Sequence, residues 1–158
     1  DRVEFNEINW SYPQITIEVF VTSVGSSDNG SIVTLAGGKD DTLEVMGLYD
    51  DSQAANPGER NSGAQIVGKS GFANVSAPIG TGVRQHRALV FDGSHMHYYV
   101  NGIWQGKRAS AAREAMLWKF NLLKIGCSAD DKKFFEGQID QVRISKVARY
   151  NDNFAPIT

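Results

Sequence analysis

Between His86 and Lys107 the chain reads HRALVFDGSHMHYYVNGIWQGK, three short apolar runs separated by Asp92-Gly93-Ser94 and then by Asn101-Gly102. Asn-Gly between two extended runs is the strongest local hairpin signal, because a type I′ turn needs positive φ at both central residues and its twist matches the flanking strands. The segment is therefore expected to be a three-strand antiparallel meander. A two-residue loop makes Val100 and Ile103 partners, and alternation outward from them sorts the side chains by face. Met96, Tyr98, Val100 and Ile103 fall on one face, and His95, His97, Tyr99 and Trp104 on the other.

Similar runs recur at Arg2–Phe5, Ile15–Val21, Ser31–Leu35, Leu43–Leu48, Ala64–Val67, Leu122–Gly126 and Gln138–Ser145. Many short strands at this spacing, with turn residues between them, specify an all-β sandwich. The segment from Asp50 to Gly63 is polar and aperiodic and reads as a long loop, either functional or a tolerated surface insertion. Asp40-Asp41 and Asp50-Asp51 read as solvated turn residues. Ala109–Lys119 is the one helical stretch, with Ser110 placed to cap it. The sequons Asn29-Gly-Ser31 and Asn74-Val-Ser76 matter only in a eukaryotic secretory setting.

A chain of 158 residues fits one domain, 1–158, able to bury roughly two-thirds of its unfolded surface. The single Cys127 cannot form an internal disulfide and reads as a small buried hydrophobe. Sixteen Lys and Arg against 18 Asp and Glu leave a net charge of -2, without the basic stripe that nucleic acid requires. No apolar run approaches the ~20 residues needed for membrane insertion. A start at Asp1 rather than Met reads as a processed product or a domain excised from a longer chain.

Three stretches carry a resemblance to a known family: Gln85-His86-Arg87-Ala88, then FDGSHMHYYVNG, then LLKIGCSADDKKFFEGQIDQVRISKVARYNDNFAP. Their order and spacing resemble the laminin G-like jelly-roll domains of the concanavalin A-like lectin/glucanase superfamily. Trp10–Val21 is similar to the family's first core strand. One departure is visible: Arg84 and Gln85 stand where the family commonly has a Trp before its His-x-Ala strand. The resemblance implies a two-sheet antiparallel jelly-roll sandwich with at most one short helix, exposed outside the cell, in the periplasm or at a cell surface. Fold alone does not give activity.

Glycoside hydrolysis needs two carboxyl groups flanking the bond, which laminarinase-type relatives carry on one strand as Glu-x-Asp-x-Glu or Glu-x-Asp-x-x-Glu. None of Glu4, Glu7, Glu18, Glu44, Glu59, Glu114 and Glu136 has an Asp two residues on. No Gly-x-Ser-x-Gly elbow is present for nucleophilic catalysis, and no catalytic residue is assigned. His86, His95 and His97 lack sequence support as a zinc set. His86 reads as a sheet residue hydrogen-bonded to neighbouring backbone.

Alternation from Val142 and Ile144 places Asp140 on their core-facing side, where an ionised acid needs hydrogen bonds or a cation. The resemblance implies one structural Ca²⁺ there, with Asp140 as ligand and Asp1 or Glu4 as a second acid. Two alternatives stand beside it: backbone N–H groups satisfy Asp140, or a β-bulge after Ile139 turns it outward.

Sugar rings stack their C–H faces on aromatics while their hydroxyls need polar partners. Tyr99, Trp104 and His97 supply that combination and form a candidate carbohydrate platform, unless the aromatics are packed under neighbouring segments. The reading is a non-catalytic extracellular module that recognises a glycan or glycosylated partner. The alternative is a structural or sensory ectodomain that binds protein, and the third reading is a glycosidase with a rearranged carboxylate pair.

Overall fold

The structure is a computed structural model that describes residues 2–24, 30–37, 44–51, 60–68, 71–109 and 119–157. Its strands are β1 (Val3–Trp10), β2 (Ile15–Ser23), β3 (Gly30–Gly37), β4 (Glu44–Asp51), β5 (Arg60–Gly68), β6 (Gly71–Ile79), β7 (Arg84–Phe91), β8 (Met96–Val100), β9 (Ile103–Arg108), β10 (Phe120–Ile125) and β11 (Gly137–Ser145). They form a six-stranded sheet ordered β1-β10-β3-β4-β5-β6 and a five-stranded sheet ordered β11-β2-β7-β8-β9. Every pairing within the two sheets is antiparallel. This is the expected jelly-roll sandwich. The helix expected over Ala109–Lys119, with Ser110 and Trp118, lies outside the described residues except for its two end positions.

The meander is β7-β8-β9, and Val100 pairs with Ile103 across the turn. Asn101 (φ 50°) and Gly102 (φ 76°) both sit in the left-handed region that a type I′ turn requires. Gly102 also lies against the Phe154 carbonyl, where a side chain would collide.

Between the sheets, Ile17, Val19 and Val21 of β2, Leu89 and Phe91 of β7, and Met96 and Tyr98 of β8 meet Leu35, Met46, Leu48, Ala64, Ile66 and Val75 of the other sheet. Burying each such large apolar side chain contributes about 1.5–3 kcal/mol. Ile103, expected on the same face as Met96 and Tyr98, is 52% exposed at the sheet end.

Two expectations need correction. Both ends of the supposed loop Asp50–Gly63 are strand, since β4 runs through Asp51 and β5 starts at Arg60, and residues 52–59 lie outside the described residues. Asp50 is not a solvated turn residue: it points into the core and pairs with Arg87, a residue with no exposed surface. Arg87 also donates to Ser62 Oγ at 2.9 Å and Ser23 Oγ at 2.8 Å, while Ser23 Oγ donates to Asp50 at 2.5 Å. Tyr98 Oη donates to Ser62 Oγ at 2.8 Å, and burial pushes the Tyr98 phenol up to about 12. A charged pair this deep persists only where hydrogen bonds satisfy it from several sides.

Strand β11 changes frame midway. Gln141 has φ 49°, and the register against β2 shifts between Asp140 and Arg143. This β-bulge lets Ile139, Val142 and Ile144 all pack against the core. Asp140 therefore does not share the face of Val142 and Ile144. Its side chain is 58% exposed and accepts a 2.8 Å hydrogen bond from Arg84 Nη2.

After β11 the chain crosses the outer face of the five-stranded sheet. Ala148, Tyr150 and Phe154 pack on Ala88, Val90 and Tyr99, with the Tyr150 and Phe154 rings stacked at 3.5 Å. Thr16 Oγ1 donates to the Val147 carbonyl at 2.7 Å and accepts from Arg149 N at 3.0 Å. Phe154 N donates to the Gly102 carbonyl at 3.0 Å.

Candidate functional site

The strap formed by residues 146–157 decides what the outer face of the five-stranded sheet can do. Tyr99 lies beneath Tyr150 and Phe154 with no exposed surface, so it offers no platform. His97 is held by Asp92, Nε2 to Oδ2 at 3.0 Å. Asp92 also accepts from the Ser94 and His95 amides, and burial, which opposes ionisation, is outweighed by these bonds, so its carboxyl titrates well below the usual range. Trp104 is 47% exposed. Tyr99, His97 and Trp104 share a sheet face as expected, but the strap occupies that face and they do not form a joint surface.

Under the strap sits a braced carboxylate. Glu18 accepts from Tyr150 Oη at 2.7 Å and lies 3.3 Å from His86 Nε2, with Arg143 Nε on its other oxygen. Burial alone would raise its pKa, but the hydrogen bonds from His86, Arg143 and Tyr150 lower it to about 2. His86 is thus buried, as expected, with a carboxylate as its side-chain partner; its backbone N–H donates to Asn101 Oδ1 at 2.9 Å. The His95 and His97 rings are neighbours, with centroids 6.2 Å apart and His95 Nδ1 2.8 Å from Ser94 Oγ, while His86 stands apart from them facing Glu18.

The residues proposed for calcium do not fit a calcium site among the described residues. Asp140 faces solvent and Arg84. Glu4 lies 3.5 Å from both Arg2 Nη2 and Lys124 Nζ, cations that already neutralise it. Asp1 lies outside the described residues. Among the described residues, no group of three or more His, Cys, Asp or Glu is arranged to hold a metal.

A polar and aromatic cleft instead occupies the outer face of the six-stranded sheet. In β4, Leu48 and Asp50 point inward, so Tyr49 and Asp51 point out; in β5, Gln65 points out between Ala64 and Ile66. In β6, Ala73 and Val75 enter the core and present Phe72 and Asn74 outward. Ser31 of β3 and Lys133, from the loop after β10, complete the rim of a cleft of about 280 Å³. The Lys133 carbonyl accepts from Ser31 N at 3.4 Å, and Phe134 bridges Ser31, which fixes that loop to the sheet.

The Tyr49 ring lies across Gly63, where an added Cβ would stand 2.5 Å from Tyr49 Oη. Asn74 Nδ2 donates to that phenol oxygen, while burial and the nearby Asp51 carboxylate raise the Tyr49 pKa. Phe72 is 58% exposed beside them. The arrangement supplies an apolar face together with hydrogen-bond acceptors and donors. The cleft is not among the sites expected from the sequence, because β6 lacks the continuous apolar run that marks the other strands. The alternation Ala73, Val75, Ala77, Ile79 was the available signal.

Residues 1–153 match the laminin G-like family described as the concanavalin A-like lectin/glucanases superfamily, and the chain belongs to that family. No curated protein matches it in sequence. Among solved structures, a heptameric SAP-like pentraxin from Limulus polyphemus superposes with a TM-score of 0.71 at 18% identity, over 94% of this chain and 71% of that one. The CBM40 of Ruminococcus gnavus IT-sialidase, bound to α2,3-sialyllactose, gives 0.70 at 13% identity over 94% of each chain. Domain 4 of AbnA, an extracellular arabinanase from Geobacillus stearothermophilus, in complex with arabinotriose, gives 0.61 at 19% identity over 85% of this chain and 61% of that one. At these identities the likeness is one of fold.

Proposed function

We propose that this chain is a non-catalytic carbohydrate-binding module working outside the cell, and that its glycan sits in the cleft of Tyr49, Asp51, Gln65, Phe72, Asn74 and Lys133. The observation that carries this reading is the half-exposed Phe72 ring in a cleft that Gln65, Asn74, Asp51 and Lys133 also line. Burying a C–H face of a sugar on such a ring, while hydroxyls meet fixed polar groups, is how small polar ligands gain both affinity and orientation. Structures of the same fold that hold sialyllactose and arabinotriose support this direction. No helix among the described residues is long and apolar enough to cross a membrane.

A glycan array followed by titration calorimetry on the strongest hit tests the reading. Phe72→Ala should lose most of the binding, and Trp104→Ala should retain it. If Phe72→Ala binds as well as the parent, the cleft is not the site.

A further inference from the structure

Resting on that carbohydrate reading, we propose that the cleft takes a terminal sugar residue by a free pair of hydroxyls on adjacent ring carbons, with Gln65 deciding which sugars are accepted. The strand register sets the geometry. Gln65 of β5 stands directly opposite Asn74 of β6, so their Cβ atoms are roughly 4.5–5.5 Å apart on the outer face. Phe72 is two positions from Asn74 along β6, roughly 6.6 Å away at about 3.3 Å per residue. One pyranose spans that gap, with its hydroxyl edge over the two amides and a C–H face on the half-exposed ring.

Hydrogen bonding then selects the diol. Asn74 Nδ2 donates to Tyr49 Oη, which leaves Asn74 Oδ1 to accept. Burial and the Asp51 charge raise the Tyr49 pKa, so the phenol keeps its proton. Its oxygen already accepts from Asn74, and its own O–H is left to donate. Because Oη and Oδ1 both flank the same amide nitrogen, one ligand hydroxyl reaches them together, accepting from the phenol and donating to the amide oxygen.

Gln65 serves the second hydroxyl. Among the described residues its side chain has no hydrogen-bond partner, and it is only partly buried where it lines the cleft. It therefore offers one acceptor and two donors to an oxygen beside the first. Asn74 also braces Tyr49, whereas Gln65 holds no other side chain and acts on the ligand alone. A further sugar linked through either oxygen would remove a donor, so the bound residue is a chain end. The cleft of about 280 Å³, at the bottom of the roughly 300–1,000 Å³ range of small-molecule sites, accommodates one such ring.

The test uses the whole chain in titration calorimetry with the methyl glycosides of galactose, glucose, mannose and fucose. For the tightest binder, each single deoxy analogue is then measured. Loss of either of two adjacent hydroxyls should weaken binding about fivefold, and loss of any other should change it by less than about twofold. In Gln65→Ala, which leaves the core untouched and should melt within about 2 °C of the parent, one of the two sensitive positions should become insensitive while the other stays. If the sensitive hydroxyls are not adjacent, if none is sensitive although Phe72→Ala abolishes binding, or if Gln65→Ala keeps both, the diol inference is wrong and the carbohydrate reading stands. Glycan-array ligands that bind in the cleft but are not displaced by any methyl glycoside would also overturn the diol inference alone. If neither the glycosides nor the array members bind, both fail.

Discussion

Replacing Asp50 with Asn tests the core directly, because it removes a charge while leaving the shape of the side chain. In the parent, the Arg87 guanidinium lies between the sheets with no exposed surface, paired with Asp50 and donating to Ser62, Ser23 and Gln85. Its Nε has no partner, so the network has no spare acceptor to absorb a loss. In Asp50→Asn the cation keeps only neutral partners in a low-dielectric interior. Removing one member of a buried pair costs about 3–5 kcal/mol. For a domain of 158 residues, each kcal/mol moves the melting temperature by roughly 2–4 °C, so the midpoint should fall by about 6–20 °C. Calorimetry reads that shift, and urea titration should show a lower midpoint with the slope unchanged. The double variant Asp50→Leu with Arg87→Met removes both charges and should recover much of the loss. A single variant melting within about 2 °C of the parent, or a double variant no better than the single, would refute the reasoning.

Further outcomes follow from the sites described. Gly63→Ala pushes a methyl into the Tyr49 ring, and glycan affinity measured by calorimetry should fall several-fold while the far-ultraviolet circular dichroism spectrum is kept. Glu18 titrates near 2 in the folded chain against an ordinary 4.5, so its stabilising contribution is present above about pH 4.5 and is lost as pH falls toward 2. Thermal melts across that window should fall steeply for the parent and less steeply for Glu18→Gln, which starts lower at pH 7. Because Asp140 and Glu4 are already matched by Arg84, Arg2 and Lys124, adding calcium or a chelator should leave the melting temperature within about 1 °C; a calcium-dependent rise, expected of an ion bound only by the folded state, would reinstate a metal site. Phe154→Ala should uncover Tyr99 and Ala88, lower stability by about 2–4 kcal/mol, and increase binding of a hydrophobic dye.

What the sequence made legible was local. Asn101-Gly102 states its own turn, and the apolar alternation around it states two strands and their faces. β6 was hidden because its inward side chains include the small Ala73 and Ala77, and because Pro78 and the polar Asn74 and Ser76 make the run look like a loop. That strand lies at a sheet edge, where proline is tolerated. Asp50 and Arg87 are 37 positions apart, and nothing near either residue announces that the other will face it across the core. The shared face of Tyr99 and Trp104 was legible. The segment that covers it was not, since the strap is held by scattered contacts to Thr16, Glu18 and Gly102 rather than by a periodic pattern. The cleft draws on five separate stretches of chain, so no short motif could spell it.

The insertion at Gln141 means that β11 is written in two reading frames, one ending at Asp140 and the other beginning at Val142. Two residues of β11 between Asp140 and Arg143 stand opposite one residue of β2. Were the full-length strand paired without that bulge, strict alternation would send either Ile139 or the pair Val142 and Ile144 to the wrong side of the sheet, and the frame that keeps Val142 would force Asp140 toward the oil. Length in this segment should accordingly vary only between Ile139 and Val142, where loss of Gln141 leaves Ile139, Val142 and Ile144 in one frame, while loss of a residue outside that interval puts part of the strand out of step.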